Sequence, residues 1–266
     1  MCAFSPTWWR ASPRARARRR WPSWRTRGPS LQSRAPDPPD SARVSDVILR
    51  LPLDGLSLVE NSPARRVPSH GTDLFATTFA IDLVPVDERG RSAPPGWGAL
   101  VGAEPPERFT GFGRPVLSPC AGTIVAVHDG EADHRARRSV PALLAYAVTQ
   151  RGRIRGGPSA IAGNHVVIRR GEGSVFVLLA HLREGSVRGV AGDRIATGGL
   201  VGECGNSGNS TQPHVHVQAM TDADARVARG IPFRFAGYRE RVGGDRFETV
   251  EVGLPDSGSI VEPLRP

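Results

Sequence analysis

The chain has 266 residues, which is enough for one large domain or two small ones with a sizeable buried core. Its formal net charge of +9 comes almost entirely from residues 1–43, where ten Arg and two Asp give +8, so net charge gives no reason to expect nucleic-acid binding by the other 223 residues. The sequence contains no run of about 18 apolar residues, so no transmembrane helix is predicted. The three cysteines form no Cys-x-x-Cys pair, so neither a disulfide framework nor a thiolate zinc site is predicted.

Residues 1–43 are predicted to form a disordered tail. They contain ten Arg, seven Pro and four of the five Trp, with no periodic apolar pattern. An arginine-rich start is typical of a signal peptide, but no apolar segment follows it, so neither an export signal nor an anchor is predicted. As it stands, this start is typical of a cytoplasmic protein, and the location is left open. One folded domain is expected over residues 44–266.

Short β-strands separated by turn residues are predicted along the rest of the chain. The 31 Gly and 24 Pro favour a turn-rich β architecture over a helix bundle. Strands are predicted at 47–53, 79–84, 122–127, 165–168, 175–180, 194–195 and 214–220. Their spacing predicts a mainly β, antiparallel domain. The Pro- and Gly-rich stretch 85–111 is predicted to be a surface insertion, and 131–147 either a helix or an irregular loop.

Two of the seven histidines, His214 and His216, lie two positions apart in the last predicted strand. Side chains at i and i+2 of a strand point to the same face of the sheet. The preceding turn, Gly-Asn-Ser-Gly-Asn-Ser-Thr at 205–211, is rich in small residues and backbone donors. Because glycine lets a backbone approach a ligand closely, this turn predicts a thin, Gly- or Ala-containing peptide beside the two imidazoles.

Asp82 interrupts the apolar strand predicted at 79–84. An unpaired carboxylate in such surroundings would cost several kcal/mol, so Asp82 needs a cation, a metal ion or hydrogen bonds unless the strand lies at a sheet edge. His70, in a loop, and His181, at the end of an apolar run, would each be ordinary histidines on their own. Two imidazoles and one carboxylate can bind zinc and leave one position for water.

These segments resemble the LytM/lysostaphin-type zinc endopeptidase family. The resemblance is carried by the segments 69–73, 79–82, 113–116, 122–125, 163–168 and 180–182, and by the approach 205–213 to His214-Val215-His216. It covers roughly residues 65–220. It implies a LytM-like antiparallel β-sheet sandwich or barrel-like fold with a groove, one Zn²⁺ ion as cofactor, and hydrolysis of the stem or cross-bridge peptides of bacterial peptidoglycan.

By this resemblance, His70, Asp82 and His216 are the metal ligands. His181 and His214 correspond to the two catalytic histidines of the family, which handle protons or stabilise the oxyanion, and the acid and base roles are not assigned between them. The remaining histidines, His128, His134 and His165, are predicted to be structural or surface residues.

The spacing of the first two ligands departs from that of many family members. Those members place three residues between the first histidine and the aspartate, whereas eleven residues separate His70 from Asp82. Asp73 is therefore a rival ligand. The apolar strand around Asp82 favours Asp82, because a metal ion would satisfy a buried carboxylate.

Two alternative functions of other classes stay open. A non-catalytic module that activates or regulates cell-wall hydrolysis would share the fold, but such modules typically lack one or more of the ligands. A phosphocarrier-like domain of similar architecture uses paired histidines and needs neither Asp82 nor His70. No nucleic-acid partner is expected, and the oligomeric state is not predicted.

Overall fold

The computed structural model describes residues 47–96, 102–137 and 157–264. Its strands are β1 (Val47–Leu49), β2 (Ser57–Glu60), β3 (Ile81–Pro85), β4 (Pro115–Leu117), β5 (Gly122–His128), β6 (Asn164–Arg170), β7 (Phe176–Leu182), β8 (Arg194–Ile195), β9 (Leu200–Glu203), β10 (Val215–Met220), β11 (Gly230–Ile231), β12 (Phe233–Gly243), β13 (Arg246–Gly253) and β14 (Ile260–Pro263). The helical segments are Leu74–Phe79 and Pro106–Arg108, both 3-10, and the short α-helix α1 (Gly157–Ala162).

Within the described residues, 12 of these strands form one sheet. Its order is β1-β12-β14-β2-β3-β10-β7-β6-β5-β8, with β11 paired to β10 and β13 paired to β12, while β4 and β9 form a separate pair. The mainly β class is confirmed. The pairing is antiparallel, as predicted, except that β1 runs parallel to β12.

The predicted strands between residues 122 and 220 are present as β5, β6, β7, β8 and β10. The first prediction, 47–53, was too long: β1 ends at Leu49, and Pro52 has no N–H to donate to a strand ladder. The second began too early, because Phe79 closes the 3-10 segment and β3 starts at Ile81. Residues 131–137 are irregular, and 138–147 lie outside the described residues.

Side chains alternate between the two faces of the central strands. On β10, Val215, Val217 and Ala219 join the main hydrophobic core. On the neighbouring strands, Leu179 and Leu83 join the same core. Cutting a buried Leu back to Ala typically costs about 2–5 kcal/mol, so this filled face holds the strand register firmly.

The opposite face of the same strands forms the floor of a groove. His216 and Gln218 of β10 point there, since directly opposed residues of antiparallel strands share a face and these two are paired with Ala180 and Leu178 of β7. The 3-10 segment Leu74–Phe79 and the helix α1 stand over this floor at its edges. The alternation of strand side chains therefore separates the structural core from the groove.

The segment 85–111 is only partly a surface feature. Val86, Ala93 and Phe109 are buried, and Ala93 and Phe109 pack with Ala136 in a small cluster. The proposed tail 1–43 lies outside the described residues, so the division of the chain at residue 44 stays a prediction. No helix of the described residues is long and apolar enough to cross a membrane.

Candidate functional site

Three side chains that are far apart in sequence meet on the groove floor. Asp82 of β3 is the register partner of His216 of β10, so both side chains lie on one face of adjacent strands. The Asp82 Oδ1 atom is 2.9 Å from His216 Nδ1, and Oδ2 is 3.1 Å from His70 Nε2. Donor atoms of all three residues lie within 4.8 Å of one another. This arrangement can hold a metal ion.

His70 reaches the group from a loop rather than from the sheet. Its side chain keeps 20% exposure, against 7% for Asp82 and 10% for His216. The rival Asp73 is exposed and does not belong to the group of donors. The structure thus brings together the three residues predicted as ligands, and leaves the alternative aspartate outside.

The two remaining predicted residues, His181 and His214, lie beside this group. Their ring centroids are 4.6 Å apart, and His214 Nε2 is 3.7 Å from Asp82 Oδ1. His181 lies within the buried part of β7, in a left-handed conformation with φ of +63°. Non-glycine residues rarely adopt this conformation, and such strain concentrates at functional sites.

Backbone carbonyls fix the tautomers of these two rings. His181 Nδ1 is 2.9 Å from the carbonyl oxygen of Ser207, and His214 Nδ1 is 2.8 Å from that of Gln212. A carbonyl oxygen only accepts, so each Nδ1 donates and carries a hydrogen. In the neutral rings Nε2 is then free to accept a proton.

Burial and neighbouring charges set the protonation states. Burial lowers the pKa of His214, and it lowers that of His181 well below the usual value, so both rings are neutral at pH 7. For Asp82, burial acts to raise the pKa, but His70, His214 and His216 together outweigh it and hold the pKa well below its usual range. Burial raises the pKa of Glu60, and the nearby Asp82 raises it further. Asp82 is therefore an anion that can accept a cation.

A cavity of about 400 Å³ opens over the group. One part of its wall is polar and includes Glu60 and Asn61, and Asn61 Nδ2 donates to Asp82 Oδ2 over 2.7 Å. The other part is apolar and is lined by Phe75, Ile161, Ala162, Leu178, Ala180 and Ala225. A second cleft, along residues 90–95, shares Glu60 and Thr211 with this cavity, so residues of the 85–111 segment line a cleft next to the site.

The glycines of the turn 205–211 pack against protein. A Cβ at Gly208 would lie 2.4 Å from the backbone nitrogen of Gly163, and one at Gly205 would lie 2.4 Å from Arg183 Cα. These glycines are needed for close packing of the turn, so the inference of a thin peptide from them is not supported. The same packing places Ser207 and Gln212 where their carbonyls hold the two histidines.

His134, which is predicted to be a structural or surface residue, supports this turn. Its Nε2 lies 2.9 Å from the carbonyl oxygen of Gly208, and Asn206 Nδ2 donates to the His134 carbonyl over 2.7 Å. His128 and His165 stack on each other at 5.4 Å between ring centroids. Neither lines the cavity over the donor group.

The match to a known family falls on the central part of the chain. The model of peptidase family M23 matches residues 109–227, which include His181, His214 and His216. The match covers somewhat less than half of the chain, and it shows that this part of the chain is similar to peptidase family M23. This similarity to a family of peptidases agrees with the resemblance of the sequence to the LytM/lysostaphin-type family. His70 and Asp82 precede the matched residues, so their place in the site rests on the geometry alone.

Solved structures of M23 proteins are similar to this chain only at a low level. The catalytic domain of lysostaphin from Staphylococcus simulans is 16% identical, with a TM-score of 0.33 over 58% of this chain and 77% of that one. A variant catalytic domain of the prophage-encoded EnpA from Enterococcus faecalis is 18% identical, with a TM-score of 0.32 over 57% and 73%. The M23 metalloprotease pseudoalterin from the deep sea is 14% identical, with a TM-score of 0.39 over 78% and 92%. No curated protein matches the chain.

Proposed function

We propose that this chain is an active zinc endopeptidase that hydrolyses peptide bonds in the stem or cross-bridge peptides of peptidoglycan. One observation carries the proposal: a group of three metal donors and two neutral histidines lies around one open cavity. A non-catalytic module would need only part of this set. A phosphocarrier would need neither Asp82 nor His70.

The donor set suits zinc. Zinc binds imidazole nitrogen and carboxylate oxygen, and catalytic sites use three protein ligands and leave a fourth position open. His70, Asp82 and His216 supply these three ligands, and the cavity lies on their open side. Bound zinc would lower the pKa of a water molecule towards neutrality and polarise the carbonyl of the substrate.

His181 and His214 would carry the proton transfers. Both are neutral at pH 7 because burial lowers their pKa values, and both have Nδ1 committed to a backbone carbonyl. Each Nε2 can therefore take a proton from the attacking water. The protonated ring could then donate to the leaving amine or stabilise the negative charge of the oxyanion. The fixed Nδ1 contacts hold the rings still between these steps.

The peptidoglycan substrate is proposed from the similarity of residues 109–227 to family M23 and from the resemblance of the sequence to the LytM/lysostaphin-type family. The form of the site is compatible with it, because the cavity shares Glu60 and Thr211 with a second cleft, and an extended peptide could lie along both. An enzyme with this substrate would have to act in the cell envelope or outside the cell.

Purified chain loaded with zinc and mixed with isolated peptidoglycan tests the proposal. We expect release of new amino groups from the peptides, no release after chelation of the metal, and recovery when zinc is restored. Zinc-loaded protein that binds peptidoglycan without cleaving it would instead support the regulatory alternative. Transfer of phosphate from a phosphohistidine donor to His214 or His181 would support the phosphocarrier alternative.

A further inference from the structure

Two uncharged side chains contact the predicted histidine ligands on the side away from the donor group. Ser69 Oγ is 3.0 Å from His70 Nδ1, and Gln218 Oε1 is 2.9 Å from His216 Nε2. Each ring therefore has one nitrogen facing Asp82 and the other held by a neutral partner. Ser69 and Gln218 are both buried, so water does not replace these contacts freely.

Ser69 and Gln218 donate their own hydrogens to backbone carbonyls. Ser69 Oγ donates to the carbonyl oxygen of Thr77 over 3.1 Å, and Gln218 Nε2 donates to that of Phe75 over 3.0 Å. If the Gln218 amide were turned over, its oxygen would face the Phe75 oxygen, and two acceptors would meet. The Phe75 carbonyl thus keeps Gln218 Oε1 directed at His216.

This network matches the tautomers that bind a metal. A histidine ligates through a nitrogen without hydrogen, so His70 must carry its hydrogen on Nδ1 and His216 on Nε2. Ser69 and Gln218 accept those two hydrogens, and the carbonyls of Thr77 and Phe75 accept the hydrogens of Ser69 and Gln218. Every donor of the metal-binding form has an acceptor.

Both carbonyls belong to the same 3-10 segment, Leu74–Phe79. Phe75 and Ala76 adopt left-handed φ values of 56° and 64°, an uncommon conformation for residues with a side chain. Gly230 passes so close that a Cβ there would lie 2.8 Å from the Ala76 oxygen, and Ser69 N donates to the Thr78 oxygen over 3.0 Å. The segment is therefore held in place from two sides.

We propose that Ser69 and Gln218 are positioning residues that preset His70 and His216 for metal binding through the carbonyls of the Leu74–Phe79 segment. The inference rests on the proposed function in so far as the site binds zinc. Outer partners of this kind typically change metal affinity by about 10–100-fold when they are removed.

Zinc dissociation constants of the full chain, measured by competition with a chromophoric chelator, test the inference. We expect Ser69→Ala and Gln218→Met each to weaken zinc binding by about 10–100-fold. Ser118→Ala is the matched control, because Ser118 is also a buried serine that donates to a carbonyl, that of Cys120 over 2.6 Å, but contacts no ligand. Its zinc affinity should equal that of the wild type.

Proton NMR of the zinc-loaded protein gives a second readout that a purely structural role would not change. The wild type should show protected downfield imidazole N–H signals from His70 Nδ1 and from His216 Nε2, in addition to those from the Nδ1 atoms of His181 and His214. Ser69→Ala should remove only the His70 signal and Gln218→Met only the His216 signal. If the wild type binds zinc, and both variants keep its zinc affinity and its N–H signals, the inference about Ser69 and Gln218 is overturned but the proposed function is not. A wild-type chain that binds no zinc would overturn the proposed function as well.

Discussion

The site is built from two halves that differ in how the chain supports them. In the sheet half, Asp82 and His216 lie on adjacent strands in direct register, with filled core behind them. In the loop half, His70 comes from a loop, is more exposed, and depends on Ser69 for its orientation. Strand register fixes the sheet half, whereas the loop half is fixed by contacts that could be changed without disturbing the core.

The C-terminal part of the chain supports the loop half. Ser62 Oγ donates to the Pro255 carbonyl over 2.6 Å, and Ser62 N donates to Ser257 Oγ over 2.8 Å. These contacts tie the loop before His70 to the turn that precedes β14. Residues beyond the family match therefore contribute to the site indirectly.

The largest expected effect comes from the residue that joins the two halves. Asp82→Ala removes the carboxylate that contacts both His70 and His216. We expect zinc content after dialysis to fall from one ion per chain to near none, with complete loss of peptidase activity. Elemental analysis measures this directly. Asp73→Ala is the control and should keep its zinc, and loss of zinc there would show that the wrong aspartate was chosen.

Substitution of the two histidines beside the metal donors should lower the rate of catalysis without removing the metal. His214→Ala and His181→Ala remove the two proposed proton carriers but no predicted ligand, so zinc content should stay at one ion per chain. Turnover should fall by about 10²–10⁴-fold in each variant, the usual contribution of a general acid or base. Rates of peptide release, normalised to bound zinc, give the comparison. Loss of zinc in either variant would make that histidine a ligand.

A smaller effect is expected from loosening the loop half. Ser62→Ala deletes a buried hydrogen bond and leaves the Pro255 carbonyl without that donor. We expect a loss of about 1–2 kcal/mol in the free energy of unfolding, measured by urea denaturation of the metal-free protein. If stability does not change, the contact to the C-terminal turn contributes nothing to the loop.

The smallest effect is expected in the alkylation of the two buried cysteines, Cys120 and Cys204, which reports how readily the sheet half opens. Burial raises the pKa of the Cys120 thiol to about 11, and it also raises the pKa of the Cys204 thiol. The backbone of Cys204 forms a β-bridge with Leu182, the residue after His181. In a Cys2→Ser background, both thiols should resist alkylation at pH 8 until urea unfolds the chain. Mass spectrometry after labelling measures this. Rapid native labelling of Cys204 would mean that the sheet half opens readily.

The sheet half could be predicted further from sequence than the loop half. The spacing of His214 and His216 and the apolar strand around Asp82 both carry a local signal, because strand side chains alternate with period two. The same period places Gln218 on the face of His216, so its contact with that ring could have been expected. His70 has no such signal, and its link to Asp82 needed the resemblance to a known family.

Other features depended on contacts that no local pattern encodes. Asp82 and His216 are 134 residues apart, and only the register of β3 with β10 brings them together. The strands β12 and β13 follow the resembling region and are not among the predicted strands, although Phe233 and Phe235 stand on either side of Arg234. The glycines at 205 and 208 were interpreted as space for a ligand, whereas neighbouring backbone occupies that space.

Anomalous X-ray diffraction at the zinc edge, from crystals of the zinc-loaded chain, tests the central claim most directly. The account predicts one peak about 2.0–2.2 Å from His70 Nε2, a carboxylate oxygen of Asp82 and His216 Nδ1. A peak held by Asp73 or by other residues, or no peak between these three side chains, would contradict it.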